Sequence, residues 1–274
     1  MKKVLILGAS GLVGKALIEE FEDRFEVYGT YCSTKTKLPD TRQFQLEIKD
    51  CDKSITLIQM IKPDVIISCL RGDFEHQYEI HKQIASEIKS INCSLYYFST
   101  ANVFDGDYLK HHAETDLPVS QSDYGKFKIN CENMLTEKLG DRASLIRIPA
   151  IWGKESPRLE MIKKSIKNNE LIDVYSNLEC NYHLDKQLAF QMRFIIEKGL
   201  HGIFHLGSTD MKTHGEFIQE IVKKLTSKNH IIKNNTLFQK ENTYYFGLQS
   251  IRTDIPQELR YTCEEIIQEL VYVK

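Results

Sequence analysis

Three glycines spaced three residues apart follow a short apolar run at the beginning of the chain. Val4–Leu7 is continuously apolar, and the segment GASGLVG comes directly after it. Apolar residues then return on one side over Leu12–Phe21, the pattern of an amphipathic helix. Gly8 permits a tight turn, Gly11 lets a ligand approach the backbone, and Gly14 lets the helix pack closely on the strand. This feature predicts a strand, a turn and a helix that form a first βα unit.

Strands and helices continue to alternate through the first half of the chain. The predicted strands are Val4–Leu7, Phe25–Tyr31, Gln43–Leu46, Asp64–Cys69, Ser94–Phe98 and Ser144–Ile148. The helices predicted between them are Leu12–Phe21, Ser54–Ile61, His76–Ser90 and Tyr124–Leu139. Such alternation is typical of βαβ units around a parallel sheet, and continuously apolar strands fit burial on both faces.

The alternation fades after Pro149. Helices are expected at Glu160–Asn168, Asp185–Lys198, His214–Thr226 and Thr262–Leu270, with short strands at Leu171–Tyr175 and Gly202–Leu206 and a long polar stretch over Ser227–Thr243. The sequence therefore predicts an α/β protein with a Rossmann-type, doubly wound parallel sheet over residues 1–150. A smaller α+β lobe that binds substrate follows over 151–274, with an interleaved boundary between the two.

Composition excludes several classes of protein. Among 274 residues, 36 are Lys or Arg and 38 are Asp or Glu. The chain therefore lacks the excess of positive charge that is typical of nucleic-acid-binding proteins. The seven cysteines form no Cys-x-x-Cys pair, so neither a zinc site nor a disulfide framework is predicted. No apolar run approaches the ~18 residues of a membrane span. We expect a cytoplasmic protein with no metal, no nucleic-acid partner and no membrane segment.

The end of the second predicted strand bears on the cofactor. A strand, a glycine turn and a helix form a site for a dinucleotide, whose pyrophosphate lies on the helix N-terminus. NAD sites commonly place an acidic residue after the second strand, but Gly29–Lys37 contains none. Thr30, Ser33 and either Lys35 or Lys37 can instead bind a 2′-phosphate, so NADP(H) is favoured over NAD(H). The alternative is that each lysine of this loop is an ordinary solvated charge.

Tyr124 and Lys128 are the candidates for acid–base chemistry. They lie four residues apart on a predicted helix, so both project from one face. A tyrosine has an ordinary pKa of ~10, which a nearby ammonium and a cationic nicotinamide would lower. Thr100 follows a predicted strand, at the edge of the sheet where ligands bind, and can donate to a substrate carbonyl. The alternatives are a surface Tyr–Lys pair and a Thr100 hydroxyl that bonds the loop backbone.

Several further segments complete the pattern, and together they resemble extended short-chain dehydrogenases/reductases, in particular the dTDP-4-dehydrorhamnose reductase group. The matching segments are Gly8–Gly14, Gly29–Tyr31, Leu46–Ile48, Lys62–Ile67, Ser99–Gly106, Tyr124–Lys128, Arg147, Trp152–Gly153, His183–Ala189 and Gly202–Leu206. They cover nearly the whole chain, with weaker similarity after about residue 228.

The resemblance implies an NAD(P)-dependent reductase of a nucleotide-linked 4-keto sugar or another small ketone, with Tyr124 as proton donor and Thr100 and Lys128 as the other catalytic residues. It also implies a homodimer as one form of assembly. The cofactor-binding residues would be Gly8, Ser10, Gly11, Leu12, Val13, Gly14, Thr30, Ser33, Lys35, Glu47, Cys69, Leu70, Arg71, Tyr124 and Lys128. The substrate-binding residues would be Asn102, Val103, Phe104, Arg147 and Trp152.

The chain also departs from the pattern of this group. Ala101 and Asn102 replace an Asp-Tyr pair, and Arg71 lies in a turn that is usually rich in alanine. Two other functions remain open: a sugar-nucleotide epimerase that uses bound cofactor transiently, and a non-catalytic nucleotide-binding or regulatory subunit. Three residue assignments are open as well, because Arg71 and Arg147 can pair with substrate phosphates or form structural salt bridges, and Trp152 can serve as packing.

Overall fold

The computed structural model describes residues 1–227 and 232–272. The helices are α1 (Leu12–Phe21), α2 (Cys51–Ile61), α3 (Phe74–Ile88), α4 (Asp123–Leu139), α5 (Pro157–Asn168), α6 (Asp185–Lys198), α7 (His214–Leu225) and α8 (Cys263–Val271). The strands are β1 (Lys3–Leu7), β2 (Glu26–Tyr31), β3 (Gln43–Gln45), β4 (Val65–Ser68), β5 (Ser94–Thr100), β6 (Ala143–Ile148), β7 (Ala150–Trp152), β8 (Ile172–Tyr175), β9 (Leu178–Cys180), β10 (Tyr182–Leu184), β11 (Ile203–His205), β12 (Lys212–Thr213), β13 (Ile232–Asn235) and β14 (Tyr244–Phe246).

A seven-stranded sheet in the order β11-β6-β5-β4-β1-β2-β3 forms the centre of the molecule. Every pairing within it is parallel. The order reverses direction between β1 and β4, so the loops that follow these strands diverge and leave a crevice. The predicted doubly wound, Rossmann-type α/β fold is confirmed, and the crevice lies beside the glycine turn.

Alternate residues of β1 enter two separate cores, which explains why this strand is continuously apolar. Val4 and Ile6 pack on the face covered by α1 and α6. Leu5 and Leu7 pack on the opposite face, covered by α2, α3 and α4. Successive side chains of a strand point to opposite faces, so a strand between two helical layers has no solvent-facing position.

A third core belongs to the C-terminal part of the chain. Trp152, Phe217 and Tyr182 lie at its centre, and residues of α7 and α8 close it. Three small sheets, β10-β7, β12-β9-β14 and β13-β8, surround this core. All of these strands are two to four residues long, too short for the alternation that identifies a strand from sequence.

The two parts of the molecule interleave along the chain. β11 pairs with β6 at one edge of the main sheet, and α6 packs against α1. Residues 185–206 therefore complete the sheet, although they follow the first strands of the smaller lobe. Part of the polar stretch Ser227–Thr243 is β13, while residues 228–231 lie outside the described residues. No helix in the part of the chain that the structure describes is long and apolar enough to cross a bilayer.

Candidate active site

In the glycine turn, the backbone at Gly8 and at Gly14 lies very close to neighbouring backbone atoms. Gly8 has a φ of 77°, and a Cβ there would lie 2.9 Å from the carbonyl oxygen of Cys69. A Cβ on Gly14 would lie 2.6 Å from the Cα of Ala9. Both contacts are shorter than real Cβ atoms make, so the two positions require glycine for this geometry. The peptide of Cys69 thus forms one wall of the turn, although its thiol is buried and its pKa is raised to about 12 by that burial.

The N-terminus of α1 fits the pyrophosphate of a dinucleotide. Gly11 is the N-cap residue, has an extended backbone and provides no side-chain cap. The first N–H groups of a helix have no intrahelical acceptor, and the helix dipole favours an anion there. Ser10, Leu12 and Val13 lie in the same turn, at the predicted positions. The glycines leave room for the pyrophosphate to approach the backbone, and the free N–H groups of α1 can donate to its oxygens. The residues present therefore fit the predicted cofactor.

Thr30 has a structural role that the sequence did not reveal. Its side chain is buried, and its Oγ accepts a hydrogen bond of 3.0 Å from the N–H of Gly8. Its carbonyl oxygen accepts a second bond, of 2.7 Å, from the N–H of Ala9. The Thr30 side chain therefore helps to hold the glycine turn, and its contact with a 2′-phosphate stays a prediction.

The loop after β2 places Ser33 and Lys35 at the surface. Lys35 lies 2.7 Å from Asp40 in an ion pair that is exposed on both sides. Such pairs contribute little, so Lys35 can exchange this partner for a phosphate. A cleft of about 420 Å³ runs along α1 here, with Lys35 and Lys37 on its wall, and it does not include Tyr124. Glu47 pairs with Lys49 at 3.0 Å, also at the surface.

Lys128 is buried beneath the predicted catalytic tyrosine. Its Nζ donates to the carbonyl oxygen of Phe98 at 2.8 Å and lies 4.4 Å from the centre of the Tyr97 ring. Burial lowers the pKa of Lys128 from 10.5 to about 8, while Cys131 and Glu132 act in the opposite direction. The side chain can therefore change its charge near neutral pH.

Tyr124 lies one helical turn before Lys128, at the second position of α4. The residue is 38% exposed, yet partial burial raises its pKa above 10.0. Contact with Thr100 lowers this pKa, as do the charges of Arg71 and Arg158. We expected the ammonium of Lys128 to have this effect, but its Nζ lies 6.0 Å from the centre of the Tyr124 ring. In this structure the arginines, rather than Lys128, are the cations that act on the phenol.

Thr100 has the loop bonds that the sequence left open as an alternative, and it also contacts Tyr124. Its Oγ donates to the Oδ1 of Asn102 at 3.0 Å and accepts from the Asn102 N–H at 3.2 Å. The same oxygen is near enough to the Tyr124 hydroxyl to lower the pKa of the tyrosine. Asn102 thus orients Thr100. The structure brings Thr100, Tyr124 and Lys128 together at the carboxyl edge of the sheet.

Asp105 is a positioning residue that sequence reasoning missed. One carboxylate oxygen accepts from Ser120 Oγ at 2.6 Å and from the Gln121 N–H at 2.7 Å, and the other accepts from Ser122 Oγ. Ser122 in turn caps α4 by accepting from the Gly125 N–H at 3.0 Å. A serine pair 15–17 residues after an aspartate is the only sequence signal of this arrangement. The network fixes the start of α4, and therefore Tyr124.

Four predicted substrate contacts lie in the interior instead. Val103 and Phe104 are 0% and 2% exposed and pack in a small apolar cluster under the loop. Arg147 is buried, and its Nη2 lies 2.7 Å from a carboxylate oxygen of Glu132. Trp152 packs against Phe217 in the third core. Arg147 therefore forms a structural salt bridge with Glu132, and Trp152 serves as packing in the third core. These are the alternatives to substrate contact that the sequence left open.

Arg158 was also missed, and here no sequence signal was available. It lies in the first turn of α5, directly after Pro157. Its guanidinium acts on Tyr124, 34 positions earlier in the chain, and this proximity arises only from the tertiary fold.

Comparison with known proteins agrees with this architecture. The sequence profile of the family described as "RmlD substrate binding domain" matches residues 1–241. Methionine adenosyltransferase 2 subunit beta from Bos taurus is 28% identical over 242 residues, which cover 78% of this chain and 70% of that protein.

Two solved structures superpose over almost the full length. A dTDP-4-dehydrorhamnose reductase from Bacillus anthracis in complex with NADP has a TM-score of 0.82 and 20% identity, with 98% of each chain covered. A dTDP-glucose 4,6-dehydratase from the same organism, in complex with NAD, has a TM-score of 0.80 and 14% identity, with 99% and 96% covered. At these identities the likeness shows the fold.

Proposed function

Because the chain belongs to the RmlD substrate binding domain family, we propose that it is an NAD(P)-dependent reductase of a nucleotide-linked 4-keto sugar. The observation that carries the proposal is the cluster of Thr100, Tyr124 and Lys128 at the carboxyl edge of the sheet, near the glycine turn. A regulatory nucleotide-binding protein needs the turn but has no use for a proton donor in this position.

The residues of this chain divide the proposed chemistry among them. The glycine turn and the N-terminus of α1 would hold the dinucleotide, which supplies a hydride when it is bound. Tyr124 donates a proton to the carbonyl oxygen of the substrate. Thr100 is placed to stabilise the charge that develops on the same oxygen. Lys128 is positioned by the Phe98 carbonyl and would hold the cofactor's ribose beside the reacting centre.

Replacing Tyr124 tests this assignment. Tyr124→Phe removes one oxygen and keeps the ring, so NADPH binding should be nearly unchanged while turnover of a keto sugar falls by ~10²–10⁴. Thr100→Val should cost less, on the order of 2–4 kcal/mol in transition-state stabilisation. Steady-state kinetics and titration calorimetry on the same samples check both expectations. Full turnover by Tyr124→Phe, on a substrate that the wild type reduces, would refute the mechanism.

We propose NADP(H) as the preferred cofactor. Residues Gly29–Lys37 include no acidic residue, Ser33 and Lys35 are exposed, and Lys35 lines the cleft along α1. Titration calorimetry should show tighter binding of NADPH than of NADH. Lys35→Ala should weaken NADPH alone, and Lys53→Ala, which changes an exposed lysine of α2, is the matched surface control. Equal or tighter binding of NADH contradicts the preference.

A second candidate function comes from the similarity to methionine adenosyltransferase 2 subunit beta. In this case the chain would bind a dinucleotide and regulate a partner enzyme without reducing a sugar. The two functions differ in one measurement, which is net NADPH oxidation with a panel of nucleotide-linked keto sugars. Binding of NADPH without oxidation, together with an altered rate of a methionine adenosyltransferase, would favour the subunit. An epimerase would convert a sugar nucleotide without net oxidation.

A further inference from the structure

Two partly exposed aromatic rings from different helices lie side by side at the candidate active site. Phe74 is the first residue of α3, Tyr124 is the second residue of α4, and each is 38% exposed. Their ring centres are 5.8 Å apart and the ring planes are inclined at 39°. Aromatic rings attract each other at such distances. The proposed proton donor therefore has an aromatic neighbour that its own helix does not supply.

Phe74 is in turn fixed by a ring of the core. It stacks on Phe127, with the ring centres 4.7 Å apart and the planes within 5° of parallel. Phe127 is buried and belongs to the core between the sheet and the layer of α2, α3 and α4. Close-packed core side chains have few alternative positions, so Phe127 restricts the positions that Phe74 can take. A continuous line of ring contacts thus leads from the core through Phe74 to Tyr124.

The backbone before Phe74 is also held in place. Gly72 has a φ of 130°, a conformation that favours glycine. Its carbonyl oxygen accepts a hydrogen bond of 2.7 Å from Nε2 of Gln77, a buried residue of α3. Asp73 then caps α3 by accepting from the His76 N–H at 3.0 Å. The loop between β4 and α3 therefore holds Phe74 in one place, although residues 71–73 are exposed.

The position of Tyr124 in the chain does not by itself orient its ring. The rotamers of a helical side chain are restricted by the preceding turn, and Tyr124 lies in the first turn of α4, where that turn is absent. Its hydroxyl contacts Thr100, and its ring lies against Phe74. Proton donation requires the hydroxyl to be aimed at the reacting oxygen, so support of the ring bears directly on catalysis.

We propose that Phe74 is a positioning residue, whose ring holds the phenol of Tyr124 in the orientation from which it donates a proton. The inference rests on the proposed function, because it takes Tyr124 as the proton donor. Phe74 itself has no group that can exchange a proton, so its effect on the reaction passes through Tyr124. The stack of Phe74 on Phe127 makes this support rigid.

The Phe74 ring also keeps water from one side of the phenol. Burial raises the pKa of Tyr124, and the adjacent Phe74 ring contributes to that burial. The groups that lower this pKa come from β5, the β4–α3 loop and α5, and are Thr100, Arg71 and Arg158. On α4, the Nζ of Lys128 lies 6.0 Å from the ring centre. Removing Phe74 would admit water, which stabilises the charged phenolate, so the pKa of Tyr124 should fall.

Steady-state kinetics with a keto sugar that the wild type reduces test the proposal. Phe74→Ala should lower kcat roughly 10-fold or more, because the proton donor is no longer held in position. The KM of the sugar and the Kd of NADPH should stay within about twofold, since the lost support matters mainly in the transition state. Phe74→Tyr keeps the ring and should retain most of the wild-type kcat. Phe190→Ala is the matched control, because Phe190 is 37% exposed and lies on α6, at the other face of the sheet.

A second comparison shows whether Phe74 acts through the phenol. Tyr124→Phe lacks the hydroxyl, so adding Phe74→Ala to it should leave the residual kcat unchanged. The proposal is overturned if Phe74→Ala keeps the wild-type kcat, or if it lowers kcat equally in both backgrounds. A loss of kcat that Phe74→Tyr does not restore would also contradict it.

The contact can also be tested without turnover, which separates this inference from the reductase function. The difference in tyrosinate absorbance between a protein and its Tyr124→Phe variant follows the ionisation of the Tyr124 phenol. Phe74→Ala should move this ionisation to lower pH, and Phe190→Ala should not. A shifted ionisation without reduction of any keto sugar contradicts the reductase and supports the role of Phe74 in holding the phenol. Reduction of a keto sugar, with kcat and ionisation unchanged in Phe74→Ala, supports the reductase and overturns that role.

Discussion

The burial of Lys128 can be tested in solution through the pH dependence of the free energy of unfolding. Its pKa is lowered to about 8 in the folded protein, whereas an unfolded lysine has a pKa of ~10.4. Between these two values the unfolded state binds more protons than the native state, so the free energy of unfolding rises with pH. The full effect is on the order of 3 kcal/mol.

We therefore expect Lys128→Met to abolish the part of this rise that lies between about pH 8 and pH 10. Denaturant unfolding at several pH values measures the effect. Lys126→Met, an exposed lysine on the same helix, is the control and should leave the pH dependence unchanged. If Lys128→Met keeps the same rise, the lysine is not buried as the structure has it.

Arg147 offers a test of a structural role at the residue scale. Arg147→Met would leave the buried carboxylate of Glu132 without its partner, and should cost about 3–5 kcal/mol of unfolding free energy. The double variant with Glu132→Leu should recover much of this loss, because no isolated charge remains. Lys110→Met removes the exposed ion pair with Asp116 and should cost below ~1 kcal/mol.

Denaturant unfolding of the wild type, Arg147→Met, Glu132→Leu and the double variant forms a double-mutant cycle. An Arg147→Met protein as stable as Lys110→Met would contradict the buried pair. A raised KM for the nucleotide sugar at unchanged stability would restore Arg147 as a substrate contact.

At the scale of elements, the start of α4 depends on Asp105. Asp105→Ala leaves the bonded Ser120, Gln121 and Ser122 groups without their acceptor, at a cost of about 3 kcal/mol. Since this network positions Tyr124, kcat should fall more than the affinity for NADPH does. Asp107→Ala is the control, because among the described residues the Asp107 carboxylate accepts one exposed hydrogen bond, from the Leu109 N–H at 2.9 Å, and otherwise has only the His112 ring at 3.9 Å. Equal kinetics in the two variants would show that α4 is fixed by other contacts.

The Asp105 carboxylate also makes the stability of the protein depend on pH under acidic conditions. Burial raises the pKa of Asp105, but hydrogen bonds from Ser120, Ser122 and the Gln121 backbone outweigh it, and the pKa lies below 3.8. Because the folded pKa is the lower one, the stabilisation is present above about pH 4 and is lost as the pH falls through the folded value. Asp105→Ala should therefore be less sensitive to acid than the wild type.

At the scale of the whole molecule, the sheet is completed by residues that come late in the chain. A protein ending at residue 150 would lack β11, leaving β6 as a bare edge, and would lack α6 over the apolar face of α1. We expect such a fragment to show no cooperative thermal unfolding by circular dichroism and to bind a hydrophobic dye. A sharp transition like that of the full chain would show that the first 150 residues form an independent domain.

The sequence alone determined the alternation of strands and helices and the position of the glycine turn, because these depend on local periodicity and on backbone conformations that neighbouring residues specify. Leu12–Phe21 and Asp185–Lys198 are helices with the predicted bounds. The pairing of Tyr124 with Lys128 is equally local, since four residues span one helical turn.

Only the tertiary structure decided which polar groups remain free for ligands. Thr30 and Arg147 had the residue types of binding groups, but one holds the glycine turn and the other neutralises Glu132. Arg158 had no local signal and yet acts on Tyr124. Whether a hydroxyl or a guanidinium is available depends on partners that are distant in sequence, and folding alone brings those partners together.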